Sequence, residues 1–196
     1  MKCWILKLLL IPLLLLIACL IAGLYGAMHN QISYTVSPDY FHQFKFIQFG
    51  LIHFQDRTGA AFVGWYASWW MGIIIGIVLV PVSLIVPGAK GYFVAALRAF
   101  GVVTLTALAT GLTGLLLGFL LIDPQRVGPV ERYGQLINDP AAFWRAGTMH
   151  SFSYLGGLLG IVTGLIYLGV VAWRRRTRLA SAATAGFTSP QRGAGS

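Results

Sequence analysis

Four histidines are the side chains of this 196-residue sequence most suited to chemistry. They are His29, His42, His53 and His150. Imidazole is the commonest metal ligand in proteins, and it exchanges protons near neutral pH. A pair such as His29 and His150 could ligate haem iron or a transition metal. Carboxylates that could complete a site lie in the same parts of the chain: Asp39, Asp56, Glu131 and Asp139.

The spacing of these residues specifies no particular reaction. The sequence contains no HxH, HxxxH, HExxH or CxxCH pattern, which are the arrangements that bind metal or haem locally. It contains neither a GxSxG nucleophile turn nor a GxxxxGK[ST] phosphate loop. No enzyme class is therefore indicated and no cofactor is predicted. A haem- or metal-binding redox protein using His29 and His150 stands as an alternative function.

The elements that must position these residues are membrane helices. Apolar residues make up 57% of the chain and charged residues only 10%, against about 25% charged in soluble domains. Four uncharged runs each reach the roughly 20 residues that span a bilayer as a helix. We predict an all-α, four-transmembrane-helix bundle with a small extracytoplasmic cap. The predicted spans are about 5–27, 60–86, 95–122 and 148–173. Outer loops 28–58 and 123–147 complete domain 1–176, and residues 177–196 are expected to form a disordered cytoplasmic tail.

The net charge of +9 is distributed unevenly between the two sides of this predicted bundle. All five acids lie in the predicted outer loops, whereas the N-terminus, the turn near 88–98 and the tail carry only Lys and Arg. By the positive-inside rule, the basic side is cytoplasmic. The sequence thus predicts a multi-pass protein of the bacterial inner membrane with both termini in the cytoplasm. The charge marks a membrane face, so the lipid bilayer is the expected partner and nucleic acid is not.

The first hydrophobic run also resembles a targeting segment. Residues 16–19, "LIAC", are similar to a lipoprotein cleavage motif, and cleavage before Cys19 would leave three spans. The alternative is an uncleaved signal-anchor. The apolar run continues past Cys19, whereas the core of a cleaved signal is normally about 7–15 residues. Its length therefore favours the anchor.

Small residues recur at four-residue steps along three of the predicted helices. They are Ala60, Gly64, Ser68, Gly72 and Gly76; Gly114 and Gly118, with Ala107 and Gly111 as a separate step; and Gly156, Gly160 and Gly164. Small faces let helix backbones approach closely in lipid. They predict either a tightly packed monomeric bundle or a homo-oligomer formed through one such face.

The segment between the first two spans has a pattern of its own. Apolar and polar residues alternate over residues 32–36, which predicts a short strand. Ser37-Pro38-Asp39 then predicts a helix start, as does Asp139-Pro140. Aromatic side chains follow, and we expect them to face lipid or the bundle. The candidate residues for binding a partner or lipid are Tyr34, Tyr40, Phe41, Phe44, Phe46 and Phe49.

These patterns favour a structural or accessory membrane protein. Its outer, aromatic-rich loops would bind lipid or another membrane or periplasmic protein. A small transporter is a weaker alternative, because no charged residue lies in the middle of a predicted span.

Two stretches, "YGAMHNQISYTVSPDYFHQFKFIQF" and "GTMHSFSYLGGLLG", resemble a family of uncharacterised bacterial multi-pass membrane proteins. That family carries a His-[Asp/Asn]-Gln-Ile-Ser-Tyr-Thr-x-Ser-Pro-[Glu/Asp]-Tyr-Phe segment after its first helix, and its members are often labelled signal-peptide-containing proteins. The resemblance is strongest over residues 25–50 and implies architecture and a bacterial setting, with no known activity. Asn30 and Asp39 stand where Asp and Glu are expected. Asn30 therefore lacks the carboxylate that an Asp at this position could offer to a metal ion.

Overall fold

The computed structural model describes residues 2–51 and 53–187, and four long helices dominate it. They are α1 (Lys2–Val36), α2 (Arg57–Ser83), α3 (Ala89–Leu121) and α4 (Pro140–Phe187). All four are long and apolar enough to cross a membrane. The predicted all-α, four-helix membrane bundle is therefore confirmed.

The four helices pack as two tight pairs, α1 with α2 and α3 with α4. In the first pair, a Cβ added to Gly64 would collide with the backbone carbonyl of Gly26. In the second pair, a Cβ added to Gly156 would lie 2.8 Å from the Cα of Ala107. The predicted small-residue faces thus make contacts inside the chain, where close backbone approach increases dispersion between helices. The two pairs meet along a looser interface, which we call the seam.

One end of the bundle is closed by a buried lysine. Lys7 of α1 donates hydrogen bonds to the carbonyl oxygens of Leu84 (3.0 Å) and Val86 (2.8 Å) in the turn between α2 and α3. These carbonyls follow the last turn of α2, where helix geometry leaves acceptors without partners. Pro81 lies in that last turn and Gly88, with φ of 75°, precedes α3. We call this the arginine end, because Arg98, Arg174, Arg175 and Arg178 also lie there.

The opposite end carries a small cap formed by two segments. The first contains an α-helical turn (Pro38–Tyr40), a π-helical stretch (Phe41–Lys45) and a second α-helical turn (Phe46–Gln48). Ser37 accepts a hydrogen bond from the Tyr40 N–H at 3.2 Å, which confirms the predicted helix start. The second segment contains a hairpin, β1 (Glu131–Arg132) and β2 (Gln135–Leu136). Its turn residues Tyr133 and Gly134 both have positive φ.

Aromatic side chains and one carboxylate join the two cap segments. Tyr40, Phe41 and Phe46 are buried with Phe143 and Ile137 in one hydrophobic cluster. Asp39 Oδ2 accepts hydrogen bonds from the backbone N–H groups of Asn138 (2.9 Å) and Asp139 (3.2 Å). The cap therefore has its own core, and its position above the bundle is set by Phe143 at the start of α4.

The strand predicted over residues 32–36 is wrong, because α1 continues as a helix through Val36. The buried polar residues of this stretch are His29, Asn30 and Ser33. They follow helical spacing and face the bundle. The helix ends only where Pro38 forces Ser37 into an extended conformation, with φ of −147° and ψ of 95°.

Two other predicted boundaries differ from the structure. The disordered tail predicted from residue 177 is wrong as far as Phe187, because α4 continues to that residue. An established helix extends readily through Ala-rich sequence, which has high helix propensity. The α4 helix also begins at Pro140, earlier than the predicted span, with Asp139 accepting from the Ala142 N–H. Residues 188–196 of the predicted tail lie outside the described residues.

Candidate functional site

The seam contains a cavity of about 280 Å³ directly beneath the cap. Residues of α1, α2, α4 and the first cap segment line it. Both pairs contribute polar side chains to the lining, among them those of Tyr25, His29, Asn30, His150, Ser153 and Tyr154. The cavity thus gathers polar groups at the edge of an otherwise apolar bundle.

His29 and His150 come together in this cavity although they are far apart in the sequence. Their ring centroids are 4.8 Å apart and the rings meet edge to face. His150 Nε2 lies 3.2 Å from Ser33 Oγ, and its ring stacks on Tyr40 at 4.9 Å. The cap therefore covers His150 and fixes its ring against α1.

His29 differs from His150 in its hydrogen bonding. Its side chain is only 4% exposed, and its Nε2 has no hydrogen-bond partner among the residues that the structure describes. Gly111 of α3 leaves space beside this nitrogen, because a Cβ there would lie 3.5 Å away from it. Buried ring nitrogens almost always bond to protein, water or a ligand atom. The ring of His29 thus lines the cavity, while its Nε2 lies beside Gly111 of α3, which is not a lining residue.

An apolar crevice of about 60 Å³ continues down the seam from the polar cavity. The two spaces share four lining residues: Tyr25, Ser68, Ser153 and Tyr154. Below them the walls of the crevice are mainly apolar: Ala18, Ile21, Met71, Ile75, Phe100 and Val103. Tyr25 Oη and Ser153 Oγ are 2.5 Å apart, so a hydrogen bond crosses the seam at the junction. The site is polar toward the cap and apolar toward the middle of the membrane.

The cavity opens on the side of the bundle. Its exposed lining residues belong to α2, α4 and the end of the first cap segment: Tyr66, Trp70, Tyr154 and Phe49. The cap closes the top, where Phe41 is fully buried. Exposed Trp and Tyr side chains are typical of the zone between hydrocarbon and head groups. The mouth of the cavity therefore carries side chains typical of a membrane interface.

Lys45 supplies the positive charge of the cavity. The side chain is half-buried and donates to Gln48 Oε1 at 2.9 Å, while its Nζ lies 4.3 Å from the centroid of Phe44. Burial lowers the pKa of Lys45, because desolvation disfavours the charged amine. No acidic residue lines the cavity. The electrostatics favour a ligand that accepts hydrogen bonds or carries negative charge.

The other predicted metal ligands do not join this pair. His42 is hydrogen-bonded to the Tyr34 hydroxyl at 2.9 Å, and His53 is exposed. Within residues 2–51 and 53–187, no three His, Cys, Asp or Glu side chains form a group that could hold a metal ion. Direct contact between the His29 and His150 rings also differs from bis-histidine haem ligation, in which the iron lies between the two imidazoles.

Three of the four carboxylates proposed to complete a metal site accept structural hydrogen bonds instead. Asp56 accepts from the Thr58 and Gly59 N–H groups at the start of α2. Asp139 caps α4, and Asp39 joins the cap segments. Glu131 lies in the exposed hairpin strand β1. Asp is one of the residues preferred at the N-cap of a helix, where its carboxylate accepts hydrogen bonds from backbone N–H groups.

The predicted aromatic binding residues divide by burial. Tyr40, Phe41 and Phe46 are buried in the core of the cap, so of the two expected orientations, toward lipid or toward the bundle, their rings take the inward one. Tyr34 and Phe44 are half-buried, and only Phe49 is exposed at the mouth of the cavity. Aromatic density alone does not distinguish a core from a surface.

Sequence reasoning missed several residues of the site. Tyr25, Asn30 and Ser33 of α1 lie on the helical face that carries His29. Their spacing marks this face only if the helix continues past residue 27, where the sequence predicts a loop and a strand. Ser153 and Tyr154 have no local signal, because only the packing of α4 against α1 brings them to the cavity.

Comparison with known proteins does not assign this chain to a family. No protein-family model, curated protein or solved structure matches the chain. A function can therefore be inferred only from the fold and the cavity.

Proposed function

We propose that this protein binds an amphiphilic molecule that enters the seam sideways from the membrane leaflet on the cap side. The head group would occupy the polar cavity, and the hydrocarbon chain would follow the apolar crevice between the two helix pairs. The observation that carries this proposal is the continuity of a polar cavity with an apolar crevice at Tyr25 and Ser153. An amphiphile has the same order of polar and apolar parts.

The polar groups of the cavity favour a head group rich in acceptor atoms. Lys45 and the tyrosine hydroxyls of the lining are donors. Buried polar groups that lack partners cost free energy, so a head group that supplies them with partners gains affinity. The absence of acids from the cavity lining removes repulsion of an anionic head.

The proposed setting is a bacterial inner membrane with the cap outside and both termini in the cytoplasm. Its support is the charge pattern: the arginine end carries basic residues, and the five acids of the chain belong to the opposite end. A reporter protein fused after Ser196 should lie in the cytoplasm, and a reporter that works only there should be active. Activity of a reporter that works only outside the cytoplasm would contradict the proposed orientation.

Photolabelling with a diazirine-bearing fatty acid tests the binding proposal directly. The full chain in phosphatidylcholine vesicles is expected to be labelled in the crevice, at residues such as Met71, Ile75 or Phe100. Gly157→Leu should reduce this labelling, because Gly157 lines the crevice and its added Cβ has ordinary contact, 3.6 Å from Met71.

Gly169→Leu is the matched control for this variant. It adds the same side chain to the same helix at a position where a new Cβ meets no atom within 4 Å. Labelling should be retained in Gly169→Leu. Equal labelling of both variants, or label distributed evenly over the lipid-facing residues, would contradict a specific crevice.

A further inference from the structure

A second cavity lies at the arginine end, between α3 and α4, and the cap-side site does not involve it. Its volume is about 240 Å³. Its floor and walls contain Val94, Ala95, Tyr167 and Val171, and four guanidinium groups surround it: Arg98, Arg174, Arg175 and Arg178. We call this space the arginine groove.

The two tryptophans of α4 place the arginine groove at the level of lipid head groups. Trp144 and Trp173 are both exposed on that helix. At 1.5 Å per residue they are separated by about 44 Å along the helix axis. A bilayer measured with its head-group regions is about 40–45 Å thick. Arg174 follows Trp173 directly, so the arginines reach the phosphate layer while Tyr167 and Val171 remain in the acyl region.

The charge of the arginine groove is not neutralised by the protein. Among the residues that the structure describes, the one ion pair is Arg126 with Asp123, far from this groove. Arg175 contacts the carbonyl oxygen of Pro87 at 3.4 Å, and a carbonyl leaves its positive charge in place. Four like charges around one small space repel one another, and this repulsion is relieved by a bound anion.

The shape of the charged groups identifies the anion. Guanidinium presents a planar set of donors that matches two oxygens of a phosphate. The apolar floor next to them fits the upper part of an acyl chain. Basic pockets between membrane helices generally bind the head groups of acidic phospholipids.

We propose that the arginine groove is a binding site for an acidic phospholipid of the surrounding leaflet, with its phosphate held by Arg98, Arg174 and Arg178. This proposal does not depend on the cap-side site, because the two cavities share no residue. The lipid would fasten α3 to α4 at the end where their side chains diverge around the groove.

Native mass spectrometry of the full chain in detergent tests this site. Phosphatidylglycerol should bind in preference to phosphatidylcholine, which has the same phosphate but a balancing positive charge. Removing one arginine, as in Arg178→Gln, should weaken phosphatidylglycerol binding about five-fold, the usual effect of one basic residue near anionic lipid. The affinity of the double variant Arg98→Gln/Arg178→Gln for phosphatidylglycerol should be more than twenty-fold lower, because two reductions of about five-fold multiply.

Arg176→Gln is the matched control, because it removes the same charge from the same helix at an exposed position outside the groove. It should bind phosphatidylglycerol as the wild type does. Equal loss in Arg176→Gln and Arg178→Gln would overturn the proposal in favour of a diffuse surface charge. Arg178→Lys keeps the positive charge but lacks the planar guanidinium group. Its affinity for phosphatidylglycerol should lie between those of Arg178→Gln and Arg176→Gln.

Competition with inorganic phosphate separates a lipid site from a phosphate site. Millimolar inorganic phosphate should leave phosphatidylglycerol bound, because it lacks the acyl chain that contacts Tyr167 and Val171. Displacement at such concentrations would overturn a lipid site and indicate a soluble phosphate ligand. The unfolding temperature of each variant, measured without added lipid, should match the wild type because these arginines are exposed.

Discussion

The contacts within each helix pair and the seam between the pairs are built differently. Within the pairs, glycines bring backbones together so closely that no side chain fits between Gly26 and Gly64. Across the seam, the two pairs meet through larger and polar side chains, and hydrogen bonds at Tyr25–Ser153 and Ser33–His150 cross it. The seam also contains both parts of the proposed binding site.

The difference shows how a small membrane bundle can be both stable and able to bind. Lipid tails are as apolar as the helices, so stability in the membrane comes from close packing and hydrogen bonds between helices. The glycine contacts supply the packing and hold each pair as a unit. The seam can then leave space unfilled near the cap, while a shared apolar core with Leu14, Leu79, Phe100 and Leu168 joins the two pairs elsewhere.

A bulky residue in a pair interface should have the largest effect. Gly64→Leu is expected to destabilise the protein by about 3 kcal/mol or more, because even its Cβ would collide with the Gly26 backbone. Unfolding of the purified protein in detergent, followed by circular dichroism with increasing sodium dodecyl sulfate, measures the change. Gly169→Leu is the control and should lie within about 0.5 kcal/mol of the wild type. Similar values for both variants would show that the pairs are not tight.

Removal of a hydrogen bond that crosses the seam should have a smaller effect. Tyr25→Phe removes the hydroxyl that contacts Ser153, and a hydrogen bond between membrane helices contributes about 1 kcal/mol. The same unfolding assay measures it, and Ser153→Ala completes a double-mutant cycle. If the hydrogen bond joins the pairs, the double variant should lose little more than either single variant. If the losses of unfolding free energy in the two single variants add up in the double variant, the two residues do not interact.

The smallest expected effect is a pH dependence due to Lys45. Burial lowers its pKa in the folded protein, so the unfolded chain binds the proton more strongly. As pH rises from the folded pKa to the unfolded one, the unfolded state carries more protons and stability increases. The unfolding midpoint should therefore rise more in the wild type than in Lys45→Met as the pH increases toward the ordinary lysine pKa of about 10.4. An equal or opposite change in the variant would show that Lys45 is not desolvated at the cavity.

The comparison also explains which predictions succeeded. Helix number, the start at Ser37-Pro38 and the use of glycine faces depend on residues near each other in sequence, and all are seen in the structure. The region after residue 27 was predicted wrongly, since its alternation was interpreted as a strand. The packing of α1 against α2 and α4 overrides that local pattern, because His29, Asn30 and Ser33 are buried there as one helical face. The sequence also leaves open whether the cap aromatics face lipid or the bundle, because burial is not encoded by residue type alone.

The sequence by itself determined that four apolar helices cross the membrane, because hydrocarbon leaves the backbone no alternative to internal hydrogen bonds. It also determined that basic residues crowd one end, since charge is a property of residue type. Only the tertiary structure decided which helices pair and where the seam remains open. That arrangement brings His29 to His150, and Arg98 to Arg178, across long intervals of sequence. The physical reason is that a binding site is a set of distances between elements, and those distances follow from packing.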